Sequence, residues 1–312
     1  MKKYCSIICI ALFGVLTISY RNAGPFPKKV KRILFIGNSI TYAGKYVTDI
    51  ETYFTINYPG KHYEFINVGL PSETVSGLSE EGHADGRFPR PDLHERLARV
   101  LAAIKPDIVF ASYGMNDGIY QPFDEQRFQK FKVGIIWLHD AVIKTGAKMV
   151  HLTPPIFDEK NGGHAGYAEV LDRYSEWLLS QRYRAEWDVA DIHFPMKKYL
   201  LDHRAKDTSF VLAKDGVHPG DEGHWLMAKQ VLLYLNEDKI AGAASINDII
   251  STYPNGEKIL QMVAEKQGIM KDAWLTAIKH TRPEMKVGLP LKEARIKAKQ
   301  IDDQIRNLVS GK

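Results

Sequence analysis

The sequence predicts a three-layer α/β/α sandwich on a five-stranded parallel sheet, followed by a helical C-terminal extension, and three observations predict it. Short apolar runs alternate with amphipathic stretches of helical period along most of the chain. The runs are continuously apolar, as strands covered on both faces require. Beyond Asn236 the runs stop and only helical segments follow.

The N-terminus reads as an export signal over residues 1–23. Lys2 and Lys3 precede an uncharged stretch centred on Ile7, Ile8, Ile10, Leu12, Val15 and Leu16, with the small Ala23 beyond it. Arg21 stands where a cleavage site favours a small residue, so an uncleaved membrane anchor is the alternative. Both cysteines, Cys5 and Cys9, fall inside this segment, and the residues before Cys9 do not suit a lipoprotein. A chain that has lost it has no disulfide, no thiol nucleophile and no cysteine-based zinc site.

A Pro/Lys linker (24–31) leads to the first strand, Ile33-Leu34-Phe35-Ile36, which ends at Gly37. Four more strands are expected at Phe65-Ile66-Asn67-Val68, Ile108-Val109-Phe110-Ala111, Met149-Val150-His151-Leu152 and Trp187-Asp188-Val189-Ala190. Between them, Leu93, Leu97, Val100, Leu101 and Ile104 share one helical face, as do Phe128, Phe131, Ile135, Leu138 and Val142. A helix is also expected over 42–57. In the extension, segments around Ile246–Ile250, 259–263, 273–278 and 291–308 look helical, with Pro290 opening the last. This extension is expected to pack on the domain or to mediate association, and it carries no catalytic signature.

The chain has 312 residues, 45% hydrophobic and 25% charged, and a formal net charge of +5. Without Lys2, Lys3 and Arg21 the charge falls to +2, with no basic stripe to point to nucleic acid.

Ligands of such sheets bind beyond the carboxyl ends of the strands. Four unusual groups sit there. Gly37-Asn38-Ser39 follows the first strand, where an exposed serine hydroxyl and its own N–H point into the site. Read alone, Ser39 fits a helix N-cap better than a nucleophile. Gly69 ends the second strand and lets its N–H approach a ligand closely, though read alone a plain turn glycine explains it better. Asn116, in Tyr113-Gly114-Met115-Asn116-Asp117, has a carboxamide able to donate to an oxyanion or to close an Asn-Asp turn. Asp215-Gly216-Val217-His218-Pro219 precedes a final helix, and a carboxylate three residues before an imidazole can leave its far nitrogen free as a base.

Together these four groups, in this order, resemble the SGNH hydrolase (GDSL-type esterase/lipase) superfamily, matched at Ser39, Gly69, Asn116 and His218. The family's Gly-x-Asn-Asp block corresponds to residues 114–117 and its Asp-x-x-His-Pro block to 215–219. The likeness spans about residues 31–235. One position departs: Asn38 stands where the commonest first block has Asp, and its side chain can make the same local backbone bonds. The resemblance implies a flavodoxin-like SGNH hydrolase domain over 24–240 with an extension over 241–312. It also implies a catalytic set of Ser39, Asp215 and His218, with an oxyanion hole from the Ser39 and Gly69 N–H groups and the Asn116 side chain. No cofactor or metal is expected, and His83, His151, His164, His193 and His224 lack ligand spacing such as His-x-x-x-His.

The expected partner is a small-molecule or polysaccharide ester, with a membrane only if the N-terminus stays uncleaved. The expected role is a secreted carbohydrate O-acetylesterase. A lipid or lysophospholipid esterase is the alternative, mildly disfavoured by the lack of a long apolar lid. A non-catalytic carbohydrate-binding protein on the same fold is a third. Two long polar loops, 71–91 and 154–166, are candidates to line the site. In the first, Arg87 and Arg90 are read either as contacts for a carboxylate or sugar ring or, more plainly, as solvated loop charges.

Overall fold

The computed structural model describes residues 26–311 with the exception of Lys28. The expected export segment and both cysteines lie outside the described residues. Among those residues no helix is long and apolar enough to cross a membrane.

Five strands form one parallel sheet in the order β2-β1-β3-β4-β5: β1 (Arg32–Gly37), β2 (Glu64–Asn67), β3 (Ile108–Ser112), β4 (Lys148–Leu152) and β5 (Asp188–Ala190). All five predicted runs are strands, with shifts of a residue or two at their ends. The helices are α1 (Ser39–Ala43), α2 (Lys45–Asn57), α3 (Leu97–Ile104), α4 (Glu125–Ile143), α5 (Glu159–Gly162), α6 (Tyr167–Arg184), α7 (His193–Arg204), α8 (Asp221–Tyr234), α9 (Ile246–Ile250), α10 (Gly256–Ala277) and α11 (Leu291–Val309).

Strand register sorts the two faces. Phe35 and Phe110 are paired across β1 and β3, stack at 5.1 Å, and meet Tyr46 of α2 on their face. Ala111 and His151 are paired one position on, and so point to the opposite face, where His151 meets His139 of α4. Helices therefore cover both faces, and the strand side chains Ile33, Leu34, Phe35 and Ile36 are wholly buried.

Three local expectations are corrected. The helix expected over 42–57 starts earlier, at Ser39, and is broken at Gly44, whose φ of 72° ends α1 and starts α2. The stretch from Leu93 opens as a 3-10 turn, Leu93–Glu95, before α3. The segments around 259–263 and 273–278 are one continuous helix, α10.

The extension packs on the sheet domain. Ile259, Val263, Trp274, Leu275, Ile301 and Ile305 join the same buried apolar cluster as the strands. Helix α10 also covers the edge strand β2, where the Gln267 side chain donates to the Phe65 carbonyl at 2.9 Å.

Candidate active site

The nucleophile candidate sits on a tight strand-to-helix junction. A Cβ on Gly37 would come within 2.4 Å of Thr41 Oγ1 and 2.6 Å of the Ser112 carbonyl, so only glycine lets β1 turn into α1 this sharply. The N-cap is Asn38 rather than Ser39: its side chain accepts from the Ile40 N–H at 3.1 Å. Ser39 is thereby released from the capping role that it fits best when read alone. It is the first residue of α1, with its N–H unpartnered among the described residues.

The loop before α8 brings the imidazole to it. Ser39 Oγ lies 2.8 Å from His218 Nε2, and His218 Nδ1 lies 2.6 Å from Asp215 Oδ2. The other Asp215 oxygen accepts the N–H groups of Val217 and His218 at 2.9 and 2.8 Å, which locks the carboxylate against the ring. Partial burial works to raise the Asp215 carboxyl. The hydrogen bond from the His218 ring, then the two backbone N–H groups, outweigh it and hold the carboxyl at about 2. An ionised Asp215 can only accept, so Nδ1 carries the proton and Nε2 accepts from the serine hydroxyl. Asp215 and His218 remain about half exposed, which leaves the site open to large substrates.

The three oxyanion candidates are differently placed. Gly69 packs directly on α1, where a Cβ would fall 2.3 Å from the Tyr42 nitrogen. Its N–H already donates to Asn67 Oδ1 at 2.9 Å, and Asn67 Nδ2 donates to the Thr41 carbonyl at 2.6 Å. Any ligand oxygen at this position would have to share the Gly69 N–H with Asn67. Asn116 is buried, and its Nδ2 donates to the Glu73 carbonyl at 3.1 Å, which leaves one N–H free. Asp117 ties this turn to the loop over 71–91 by accepting the N–H groups of Gly114, Val75 and Ser76 at 2.8, 2.8 and 2.9 Å.

Sequence reasoning missed the supports of this arrangement. The Glu73 carboxylate is fully buried and takes both Arg96 Nε and Nη2 at 2.6 Å, with the Tyr113 hydroxyl also at 2.6 Å. Burial pushes the Glu73 carboxyl up despite these partners. A lone Glu in a polar loop and an Arg among helix residues carry no sequence signal for such a pair. Arg90 is likewise not a solvated charge: its side chain is 6% exposed and grips Glu80 through two contacts of 2.6 Å. Arg87 is exposed and pairs with Glu284 of the extension. The extension reaches the site elsewhere too. Lys271 Nζ donates to the Tyr42 carbonyl at 2.9 Å, and Arg282 Nε donates to the Pro71 carbonyl at 3.0 Å.

Both long polar loops line the site. A groove of about 590 Å³ beside Asp215 is walled by Glu80 and Arg90 from the first, Gly162 and His164 from the second, and Tyr120 and Val217 between them. A larger cavity of about 730 Å³ lies between α2, α10 and α11 and touches none of the motif residues. The other histidines are dispersed. His151 is buried against His139 and Trp187, His193 bonds Asp172, His224 stacks on Tyr46, and His83 faces Glu80.

The GDSL-like lipase/acylhydrolase family profile matches residues 35–226, which is more than half of the chain. No curated protein matches. Among solved structures, the acetylxylan esterase Axe2 from Geobacillus stearothermophilus superposes with a TM-score of 0.51 at 21% identity, over 66% of this chain and 94% of that one. A catalytic mutant of the same enzyme, D191A, gives 0.52 at 20% identity over the same shares. A gut microbial diltiazem-metabolizing enzyme gives 0.51 at 23% identity, over 66% of this chain but only 47% of that one, so this chain spans about half of its length. At such identities these structural likenesses speak for the fold alone. The chain belongs to the GDSL-like lipase/acylhydrolase (SGNH hydrolase) family and is a serine hydrolase acting on ester bonds.

Proposed function

We propose that the protein is an exported O-acetylesterase that removes short acyl groups from carbohydrate hydroxyls, with Ser39, His218 and Asp215 as its catalytic set. The observation that carries the chemistry is the unbroken line from Ser39 Oγ through His218 to Asp215, at 2.8 and 2.6 Å. As Ser39 Oγ attacks the ester carbonyl carbon, its proton passes to His218 Nε2, and Asp215 stabilises the imidazolium. The carbonyl π electrons move onto oxygen, which the Ser39 and Gly69 N–H groups and the free Asn116 N–H hold. Collapse of this intermediate breaks the bond to the alcohol, which leaves with the His218 proton. Water then repeats the sequence on the acyl-serine, releasing the acid and restoring Ser39.

The groove beside Asp215 supports a sugar on the alcohol side. Glu80, Arg90, Gln121 and His164 offer donors and acceptors for hydroxyl groups, and Tyr120 offers a ring face. A long acyl chain needs an apolar channel, and this groove is lined largely by polar and charged side chains. The acetylxylan esterase activity of the structurally similar Axe2 supports the same reading. Export rests on residues 1–23, with the hydrolase domain assigned to 24–240 and the extension to 241–312.

The test is acetate release from a panel of acetylated glycans, with lysophospholipids alongside. Acetate but no fatty acid is expected, and fatty acid without acetate would replace the carbohydrate reading with the lipid one. Ser39→Ala is expected to lower p-nitrophenyl acetate turnover by about 10⁴-fold or more, and an active variant would rule out Ser39 as nucleophile.

A further inference from the structure

An oxyanion donor on a side chain has a weakness that a backbone N–H lacks: a primary amide can rotate by half a turn and present its oxygen instead. Two neighbours hold the Asn116 amide: the Glu73 carbonyl decides which end carries the N–H, and the Tyr120 hydroxyl, able to donate or accept, braces the other end against rotation. The Glu73 carbonyl, which can only accept, takes Nδ2 at 3.1 Å, and the Tyr120 hydroxyl donates to Oδ1 at 3.1 Å. With the amide reversed, Oδ1 would face the Glu73 carbonyl, and an acceptor would point at the developing oxyanion.

Tyr120 is held by its backbone and by its neighbours. Its backbone and that of Ile119 lie in the left-handed region, with φ of 56° and 49°. For a β-branched residue and an aromatic one this is a conformation the chain adopts only where surrounding contacts impose it. Those contacts are Tyr167, stacked at 4.9 Å, and the Arg90 guanidinium, 5.2 Å from the ring centre on the side of the groove. Tyr167 also anchors the turn itself, its hydroxyl donating to the Met115 carbonyl at 2.7 Å and accepting from the Gly118 N–H at 3.2 Å. The Tyr120 ring forms part of the wall of the groove that runs to Asp215.

The geometry points to Tyr120 as a positioning residue for ester hydrolysis: its hydroxyl braces the Asn116 carboxamide, whose N–H end the Glu73 carbonyl selects, against rotation away from the oxyanion, while its ring walls the substrate groove. This rests on Asn116 as an oxyanion donor and Ser39 as the nucleophile. The Tyr120 hydroxyl touches no reacting atom, and its effect on kcat passes through Asn116.

A double-mutant cycle on p-nitrophenyl acetate, whose small leaving group leaves sugar recognition out of the measurement, tests it. Tyr120→Phe removes one oxygen and keeps the ring. It is expected to lower kcat about tenfold with KM within about twofold, against about 10²–10³-fold for Asn116→Ala. In the Asn116→Ala background, Tyr120→Phe is expected to cost nothing further, because the group it orients is gone. An unchanged kcat in Tyr120→Phe, a change in KM alone, or losses that multiply in the double variant would overturn the assignment. Full activity in Ser39→Ala would instead overturn the underlying site. An inactive Ser39→Ala beside an unaffected Tyr120→Phe would sink only the role of Tyr120.

Discussion

The Asp215 carboxylate accepts one ring N–H and two backbone N–H groups, and this fixes both its charge and the tautomer of His218. The usual carboxyl value is 3.8 and the folded one about 2. The ionised, bonded form therefore contributes stability above about pH 4, which is lost as pH falls through about 2. Asp215 is thus already ionised throughout the range in which such an enzyme is assayed. In Asp215→Asn the carboxamide can donate to Nδ1, which moves the ring proton to Nε2 and removes the base facing Ser39. A loss of about 10²–10⁴-fold in kcat is expected, read from kcat at saturating substrate between about pH 5 and pH 9. Recovery of activity at either end of that profile would contradict the tautomer role.

Among the elements, α1 is the one on which the site turns. It is only five residues long, so it is held from outside: Asn38 caps it, Asn67 bonds its Thr41 carbonyl, and Lys271 bonds its Tyr42 carbonyl. Gly69 lies flush against it. Gly69→Ala would put a methyl group 2.3 Å from the Tyr42 nitrogen and 2.6 Å from the Thr41 carbonyl carbon, and backbone atoms cannot swing aside as a flexible side chain can. The variant is expected to lose about 1–3 kcal/mol of stability. Displacement of Ser39 is expected to lower kcat by about tenfold or more, since misplacement of about an ångström at a reacting group has such effects. Gly60→Ala, with nothing within 4 Å, is the control, and its melting temperature and kcat should stay at wild-type levels. Equal behaviour of the two variants would show that α1 tolerates the methyl group.

Across the whole molecule, the extension and the sheet domain share one core, and α2 lies in the middle of it. Lys266 of α10 bridges Glu51 of α2 at 2.7 Å and Asp302 of α11 at 2.5 Å. Two residues before Glu51, Asp49 is wholly buried, and its carboxylate oxygens have no hydrogen-bond partner among the described residues. Burial pushes this carboxyl up to about 7, only partly offset by the positive charge of Lys45, with Asp221 adding to the rise. A folded value raised above the unfolded one favours the folded state fully below about pH 4 and is lost as pH rises to about 7. Asp49→Asn is expected to gain stability on wild type across that window, by at most about 4 kcal/mol, and to hold the gain above it. Urea unfolding at about pH 4, 6 and 8 checks this, and a difference that does not grow with pH would mean that Asp49 finds a charged partner.

The strands and the ordered motif residues were legible in the sequence because each is a local or serial property. An apolar run such as Ile33–Ile36 marks a buried strand wherever it occurs, and Ser39, Gly69, Asn116 and Asp215-x-x-His218 keep their order along the chain. Less legible were matters set by contacts distant in sequence. Arg90 reads as a solvated loop charge until Glu80 and Tyr120 close around it, and Glu73 reads as a loop acid until Arg96 and Tyr113 bury it. The break at Gly44 and the capping role of Asn38 were missed because both depend on how tightly α1 is pressed between β1 and Gly69. The fold class and the family can be read from the chain alone, and the candidate groups for the chemistry can be nominated from it, since periodicity and residue order are local or serial properties. Only the tertiary structure decided which groups face one another. Hydrogen-bond geometry and desolvation depend on distances of a few tenths of an ångström between elements far apart in sequence, such as the 2.8 Å between Ser39 and His218.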